Sequence, residues 1–354
     1  MMQAMLRVLA LLAAGTTGTP VEPQSPPQVR EGVRPTGDVP ANEIVVVTAS
    51  RREEQLKNAP ATMSVVTGER ITHGSAQTVT DLLRLVPGVN VSQTSARDVN
   101  VTPRAATGTL SDSLLVLLDG RSIYQDFFGA DLWDFVPIEL HEIEQLEVIR
   151  GPASAVWGAN AMNGVVNVIS KPPREMPGTS LGIRFGQFDR TPPGEPFDGG
   201  GLFSIDVTHA AATSERFAYK VWAGFLTQEA FLRPTGTLGG TDVAYPVFAN
   251  TGTTQPRLDA RVDYELADRR GSLVLAGGIT GTQGMLHSGL GPLDIQRGST
   301  FKYGRMAYSD GRLKLRGFVN ALDGEARAVL VKAAGGDAFE SSFEDQAYDL
   351  EVSN

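Results

Sequence analysis

The stretch Ile143-Glu144-Gln145-Leu146-Glu147-Val148-Ile149-Arg150-Gly151-Pro152-Ala153-Ser154-Ala155-Val156-Trp157-Gly158-Ala159-Asn160-Ala161-Met162-Asn163-Gly164-Val165-Val166-Asn167-Val168-Ile169-Ser170-Lys171 decides how this chain is read. Leu146 to Ile149 is a short apolar run that predicts a strand, and Gly151-Pro152 breaks it. Ala153 to Trp157 predicts a helical turn, and Val165 to Ile169 a second strand. Glycines 151, 158 and 164 read as turns. No G-x-G-x-x-G or P-loop spacing occurs, so a nucleotide cradle is excluded.

Upstream, the patterns stay mixed. Thr62 to Thr67 is strand-like, and Leu114 to Leu118 is a buried-strand run stopped by the turn pair Asp119-Gly120. Thr78 to Val86 places Val79, Leu82, Leu83 and Val86 at helical spacing. Thr78 with Asp81 three residues on supplies a cap, and Pro87-Gly88 ends the element. Ile138 to Ile143 also reads as helical. Further back, Pro20 to Pro40 holds six prolines and reads as an extended linker. Before it, Arg7 and the apolar run Val8 to Gly15 resemble a secretory signal peptide.

Downstream of about Gly178 the period becomes two. Leu258, Ala260, Val262, Tyr264 and Leu266 alternate with Asp259, Arg261, Asp263 and Glu265. Phe203, Ile205 and Val207 oppose Ser204, Asp206 and Thr208, and Phe217 to Phe225 alternates likewise. About seven such strands are expected before the end. A soluble sandwich buries the apolar set, whereas a transmembrane barrel turns it to lipid and keeps the polar set inside. The local pattern leaves both open.

Composition narrows the function classes. The chain has 354 residues, a formal charge of −9 and no cysteine. Disulfide scaffolds, thiolate metal sites and thiol nucleophiles are therefore excluded, and no clustered basic face for nucleic acid is present. No run approaches the eighteen apolar residues of a membrane helix. His141-Glu142 begins like a zinc-protease motif, but Gln145 stands where the second histidine would be. No metal, cofactor or catalytic constellation is expected. A glycosidase built on paired carboxylates is the enzyme alternative, although most acids fall on alternating strand faces.

The segment 143–171 resembles the end of the plug domain in TonB-dependent outer-membrane receptors, which carry I-E-x-I-E-V-x-R-G-P-x-S-x-x-Y/W-G-x-x-A-x-x-G-V-I-N-I-I-T/S-K. Asp81-Leu82-Leu83, Val86-Pro87-Gly88-Val89 and Val116 to Arg121 agree with that family, and Glu43-Ile44-Val45-Val46-Val47-Thr48-Ala49 looks like its TonB box. One departure is Thr102-Pro103-Arg104-Ala105, where the family has Ile-Arg-Gly. A second is that the family's barrels have 22 strands and usually end in an aromatic residue, while this chain ends at Asn354.

The resemblance implies an α+β plug, a small mixed sheet with short helices, followed by antiparallel transmembrane β-barrel strands of an incomplete barrel. The expected division is a signal peptide at 1–19, a linker at 20–42, the TonB box at 43–49, the plug at 50–175 and a partial barrel at 176–354. The implied function is energised import of a bulky ligand, such as a ferric siderophore or cobalamin, across the outer membrane. The implied partners are that ligand, outer-membrane lipid and TonB of the inner-membrane complex. Glu43 to Ala49 would add as a strand to TonB. Glu147 and Arg150 would latch the plug to charges on the barrel wall. Arg104, Tyr124, Asp126, Phe127, Phe128 and Trp133 are the ligand-contact candidates on apical loops. The competing reading is a soluble periplasmic or surface binding protein without transport.

Overall fold

The computed structural model describes residues 44–48, 54–93, 95–103, 114–126, 128–189, 199–232, 236–237, 242–244, 250–266, 271–288, 291–311, 313–332 and 338–354. The first part is built on short strands: β1 (Val45–Val46), β2 (Glu54–Gln55), β3 (Met63–Thr67), β4 (Val89–Gln93), β5 (Val99–Pro103), β6 (Leu114–Leu118), β7 (Arg121–Ser122), β8 (Tyr124–Gln125), β9 (Ala130–Asp131), β10 (Ile143–Arg150) and β11 (Gly164–Ser170). Three short helices accompany them, α1 (Gly68–Thr72), α2 (Val79–Leu83) and α3 (Ser154–Trp157). The central sheet runs β3-β10-β11-β6-β7, with β11 and β6 parallel and the other pairs antiparallel. Parallel pairing needs a crossover, and the chain between β6 and β11 supplies it.

Local chemistry explains the boundaries. The Thr78 side chain accepts from the Asp81 amide while the Asp81 carboxylate accepts from the Thr78 amide, so the expected capping box starts α2. Gly88, with φ +78, ends that segment. Asp119 (φ 51) and Gly120 (φ 81) form the tight turn that pairs Leu118 with Arg121. The expected helix at Ile138 to Ile143 is not formed. A single 3-10 turn spans Leu140–Glu142, and Ile143 already belongs to β10. The reason lies outside the local sequence: both His141 and Glu142 are bound by side chains of the neighbouring wall. The plug core gathers Val66, Leu82, Leu83, Val116, Ile143, Leu146, Val148, Val166 and Val168 between the sheet and α2.

The second part is one antiparallel sheet of β12 (Gly178–Phe188), β13 (Gly200–Ala212), β14 (Phe217–Gln228), β15 (Thr253–Glu265), β16 (Gly271–Gly281), β17 (Gly284–Ser288), β18 (Gly291–Ile295), β19 (Thr300–Asp310), β20 (Leu313–Lys332) and β21 (Ala338–Ser353). Eight of these are long and pair consecutively from β12 to β21, whereas the sequence pattern led to about seven. The hairpin β17–β18 is the exception, with β18 pairing beside the upper part of β20. Among the described residues the sheet does not close, and β12 and β21 are its edges.

The sheet's polar face points at the plug. Ser204, Asp206, Thr208, Lys220, Asp259 and Asn320 are buried against it, while Leu258, Leu275, Ile279 and Val319 stand exposed on the opposite face. A soluble sandwich would bury the apolar set instead, so the wall is of the barrel kind. On β14, Phe217 and Phe225 bracket the outward face; eight residues at about 3.3 Å each span the height of an apolar membrane band. The strand ends joined by short connections (Ala212 with Phe217, Glu265 with Gly271, Asp310 with Leu313) lie at one end of the wall, and those joined by long ones (Phe188 with Gly200, Gln228 with Thr253, Gly281 with Thr300) lie at the other.

Placing a charge on the outward face tests that orientation. Leu275→Arg is expected to cost about 2–4 kcal/mol near the middle of the band and to reduce the folded, heat-modifiable species on gels. A variant that assembles as well as the parent would place Leu275 in water.

Candidate functional site

Two clusters of polar side chains stand out from the apolar packing. One grips residues 44–48, and the other joins the plug to the wall.

β10 alternates Gln145 and Glu147 onto one face of the central sheet, and Asn167 of β11 lies opposite Glu147 in register. That face holds the segment Val45 to Thr48. The Val47 amide donates to both oxygens of Glu147, at 3.1 and 3.2 Å, and the Thr48 amide donates to Glu147 Oε2 at 2.7 Å. Gln145 Nε2 donates to the Val45 carbonyl at 3.0 Å and to Glu147 Oε1 at 2.7 Å. Trp157 Nε1 donates to the Thr48 carbonyl at 2.8 Å, and Asn167 Nδ2 to Thr48 Oγ1 at 3.1 Å. On the other side β1 pairs with β2, and the Leu56 amide donates to the Ile44 carbonyl. Val46 and Thr48 are wholly buried, as is Glu147. A buried carboxylate needs full hydrogen bonding, and here main-chain amides provide it.

The second cluster is a seam of charges. Glu142 accepts from Lys220 Nζ at 3.0 Å and from Thr208 Oγ1 at 2.8 Å. His141 Nε2 lies 3.1 Å from the same Thr208 hydroxyl. Arg184 binds both Glu139 and Asp206. Arg305 donates to the Asp119 carbonyl at 3.1 Å and to its carboxylate at 3.0 Å. Arg261 donates to Ser170 Oγ, which itself donates to Asp119. Arg121 donates to Asn320 Oδ1 at 2.7 Å, and its guanidinium carbon lies 3.9 Å from the centroid of the Tyr303 ring.

The environment sets the protonation of the plug's own groups. Burial opposes ionisation of Asp119, but the guanidiniums of Arg305 and Arg261 and the bonds from Ser170 outweigh it, holding the carboxyl below its ordinary value. Burial lowers the Arg121 guanidinium to about 10, which leaves it charged at neutral pH. Burial pushes the Asp131 carboxyl well above the carboxylate range.

The sequence candidates fall differently from expectation. Glu147 and Arg150 were expected to pair with wall charges. Glu147 is occupied by residues 47–48, and Arg150 Nη1 donates to the Pro87 carbonyl at 2.7 Å within the plug. The pairs to the wall are made by Asp119, Glu139 and Glu142. Glu43, Ala49, Arg104 and Phe127 lie outside the described residues, as do the expected signal peptide and linker. Trp133 belongs to the plug core. Phe128 packs edge-on against Phe343 of the wall, with centroids 5.6 Å apart. Tyr124 is half-buried and Asp126 exposed in the ribbon β8–β9. The sequence reading missed Gln145, Trp157 and Asn167 as a gripping set. A signal existed for Asn167, a lone amide in the run Val165-Val166-Asn167-Val168-Ile169.

Comparison with known proteins follows the same division. Residues 55–165 match the family model described as TonB-dependent Receptor Plug Domain. The chain is 39% identical over 133 residues to the Vitamin B12 transporter BtuB of Photobacterium profundum, covering 38% of this chain and 21% of the relative. It is 33% identical over 147 residues to BtuB of Vibrio cholerae, covering 42% and 24%. Among solved structures, the ferric enterobactin receptor PfeA of Pseudomonas aeruginosa shares the fold with a TM-score of 0.57 at 17% identity, over 87% of this chain and 47% of that one. The siderophore receptor PirA of Acinetobacter baumannii gives 0.54 at 17% identity, over 82% and 45%. The matches thus span about a quarter of the curated relatives and about half of the solved structures.

Two substitutions probe the clusters. Glu147→Ala removes an acceptor shared by two amides, each charge-assisted bond being worth about 1.5–3 kcal/mol. Hydrogen exchange at Val47 and Thr48 is expected to rise at least tenfold, and unchanged protection would remove Glu147 from the grip. Asp119→Asn keeps the size and tolerates the left-handed backbone but deletes the charge, at a cost of about 3 kcal/mol. A carboxylate with a depressed pKa stabilises fully above its ordinary value, near about 4, and loses that contribution as pH falls through the depressed one. The melting difference between the variant and its parent should therefore be largest at neutral pH and close on acidification. A gap independent of pH would show that the charge of Asp119 is not what holds the seam.

Proposed function

From a chain whose residues 55–165 are a TonB-dependent receptor plug domain, set against strands of a barrel-type wall, we propose energised uptake of a bulky ligand across an outer membrane. The observation that carries this is the grip on residues 44–48. A β-branched, strand-forming segment is held on the plug mostly through its main chain, by bonds to Gln145, Glu147 and Trp157. Main-chain groups are what a partner protein pairs with when it adds a strand. The segment Glu43 to Ala49 is therefore assigned as the site where TonB engages, once the side chains that hold it let go.

In this reading the short-turn end of the wall faces the periplasm and the long-loop end faces outside. Residues 44–48 would then be drawn on from the inner side. Tyr124, on the ribbon β8–β9, and Asp126 and Phe128, on its connection, are the proposed ligand contacts, together with Arg104 and Phe127. The plug fills a lumen too wide to be closed by wall side chains alone. Import of cobalamin or of a ferric siderophore fits the names of the relatives, and both remain within the proposed ligand class.

Deleting residues 43–49 from the full-length receptor tests the assignment. Uptake of cyanocobalamin or ferric enterobactin, whichever the receptor binds, is expected to fall to background while equilibrium binding of the same ligand stays within twofold. Uptake at the parent rate would remove the segment as the point of energy transfer.

A further inference from the structure

The connection between β16 and β19 does not simply turn back. It rises as the hairpin β17–β18, whose second strand takes the place beside β20 that β19 holds lower down: Leu293, Asp294 and Ile295 pair with Ala328, Arg327 and Ala326, whereas Thr300 pairs with Asp323. The base of the hairpin is tightly confined. The Met285 amide donates to the Thr251 carbonyl at 3.3 Å, and Gly284 has φ +112, with no room for a Cβ against the Gly252 carbonyl.

Into this base reaches a buried cationic side chain of the plug. Arg97 lies on the connection between β4 and β5, and its side chain is wholly buried. Its Nη1 donates to the Gly284 carbonyl at 3.1 Å and its Nη2 to Thr282 Oγ1. Its Nε donates to Asp134 Oδ2 at 2.6 Å, and the guanidinium carbon lies 5.4 Å from the centre of the Phe135 ring. Asp134 in turn accepts from Gln255 Nε2 at 2.8 Å, and its carbonyl accepts from Arg257 at 3.3 Å. The loop that carries Arg97 is shaped by Ser95, whose hydroxyl accepts from the Arg97 and Asp98 amides. Beside this junction, Leu286 and Ile295 of the hairpin pack with Leu132 and Phe135 of the plug and Phe301 and Leu322 of the wall.

We infer that Arg97 is a positioning residue that couples the hairpin β17–β18 to the plug, so that displacement of the plug loop 95–98 or of the Trp133–Phe135 turn frees the hairpin. The planar fork of an arginine meets three acceptors at fixed angles, and a buried guanidinium cannot lose one of them without cost. The hairpin therefore has one arrangement while Arg97 is seated and a looser one when it is withdrawn.

Hydrogen exchange on the full-length receptor in detergent tests this without any ligand. Arg97→Ala is expected to raise exchange of amides in residues 282–296 at least tenfold while β10 and β11 keep their protection. Arg97→Lys, which keeps the charge beside Asp134 but not the fork, should give an intermediate rise. Thr282→Val removes one acceptor on the wall side only and should loosen the hairpin several-fold, even if the Arg97 variants fail to fold. Hairpin protection unchanged in Thr282→Val and in any folded Arg97 variant overturns the inference. An equal rise in the hairpin and in β10–β11 also overturns it, since Arg97 would then serve global stability alone.

Discussion

A charge removed from water must be met by another group, and this requirement organises the molecule. The wall turns Arg257, Asp259, Arg261 and Asp263 inward, where a soluble protein would place aliphatic side chains. Such a lining is stable only against something equally polar or against water. The plug supplies it: Asp119, Glu139 and Glu142 meet Arg305, Arg184 and Lys220, while Arg97 and Arg121 reach back to acceptors on the wall. The plug's own core, by contrast, is ordinary, with apolar residues packed between a five-stranded sheet and short helices. One body is held together by the hydrophobic effect and joined to its neighbour by paired charge along the seam and by one apolar cluster at the Leu132–Phe135 turn. A paired-charge joint has a practical consequence, since sliding past it exchanges one set of hydrogen bonds for another, whereas separating an apolar interface exposes its whole area.

The grip on residues 44–48 uses the same economy of partners. Glu147 is an acid wholly inside the plug with no cation in its grip among the described residues, and its two oxygens are met by two amides of the segment and by Gln145. Holding the segment and solvating the carboxylate are thus one event. Releasing the segment leaves Glu147 to be met by water or by another donor, which biases the segment toward the plug until a competitor for its main chain arrives.

Which parts were legible from residues alone follows from how local their causes are. The capping box of Thr78 and Asp81 and the turn at Asp119-Gly120 rest on neighbours in sequence, and they form as read. The period-two pattern after Gly178 was equally plain, because alternation is a property of one strand. The expected helix at Ile138 to Ile143 fails for the opposite reason. Its backbone follows the pull of Lys220 and Thr208, both more than sixty residues away, and of the pairing of Ile143 with Ser170. The resemblance alone assigns Glu147 and Arg150 to a latch on the wall, and nothing in the run shows which face of β10 meets the wall; the structure turns Glu147 to residues 47–48 and Arg150 to the Pro87 carbonyl.

The sequence by itself determined the two-part organisation, the identity of the plug through its motif from Ile143 to Lys171, and the alternating strands that follow. Each is written in contiguous residues, as a spacing or a period. It left open whether the alternating strands bury their apolar or their polar face, since both choices have the same period. Tertiary structure decided that question by setting the plug against the polar face, and with it which acids meet which bases, where the segment 44–48 rests, and how Arg97 reaches the base of a hairpin almost two hundred residues away. Hydrogen bonds and charges act through space over a few ångströms, so their partners depend on which strands the fold makes adjacent.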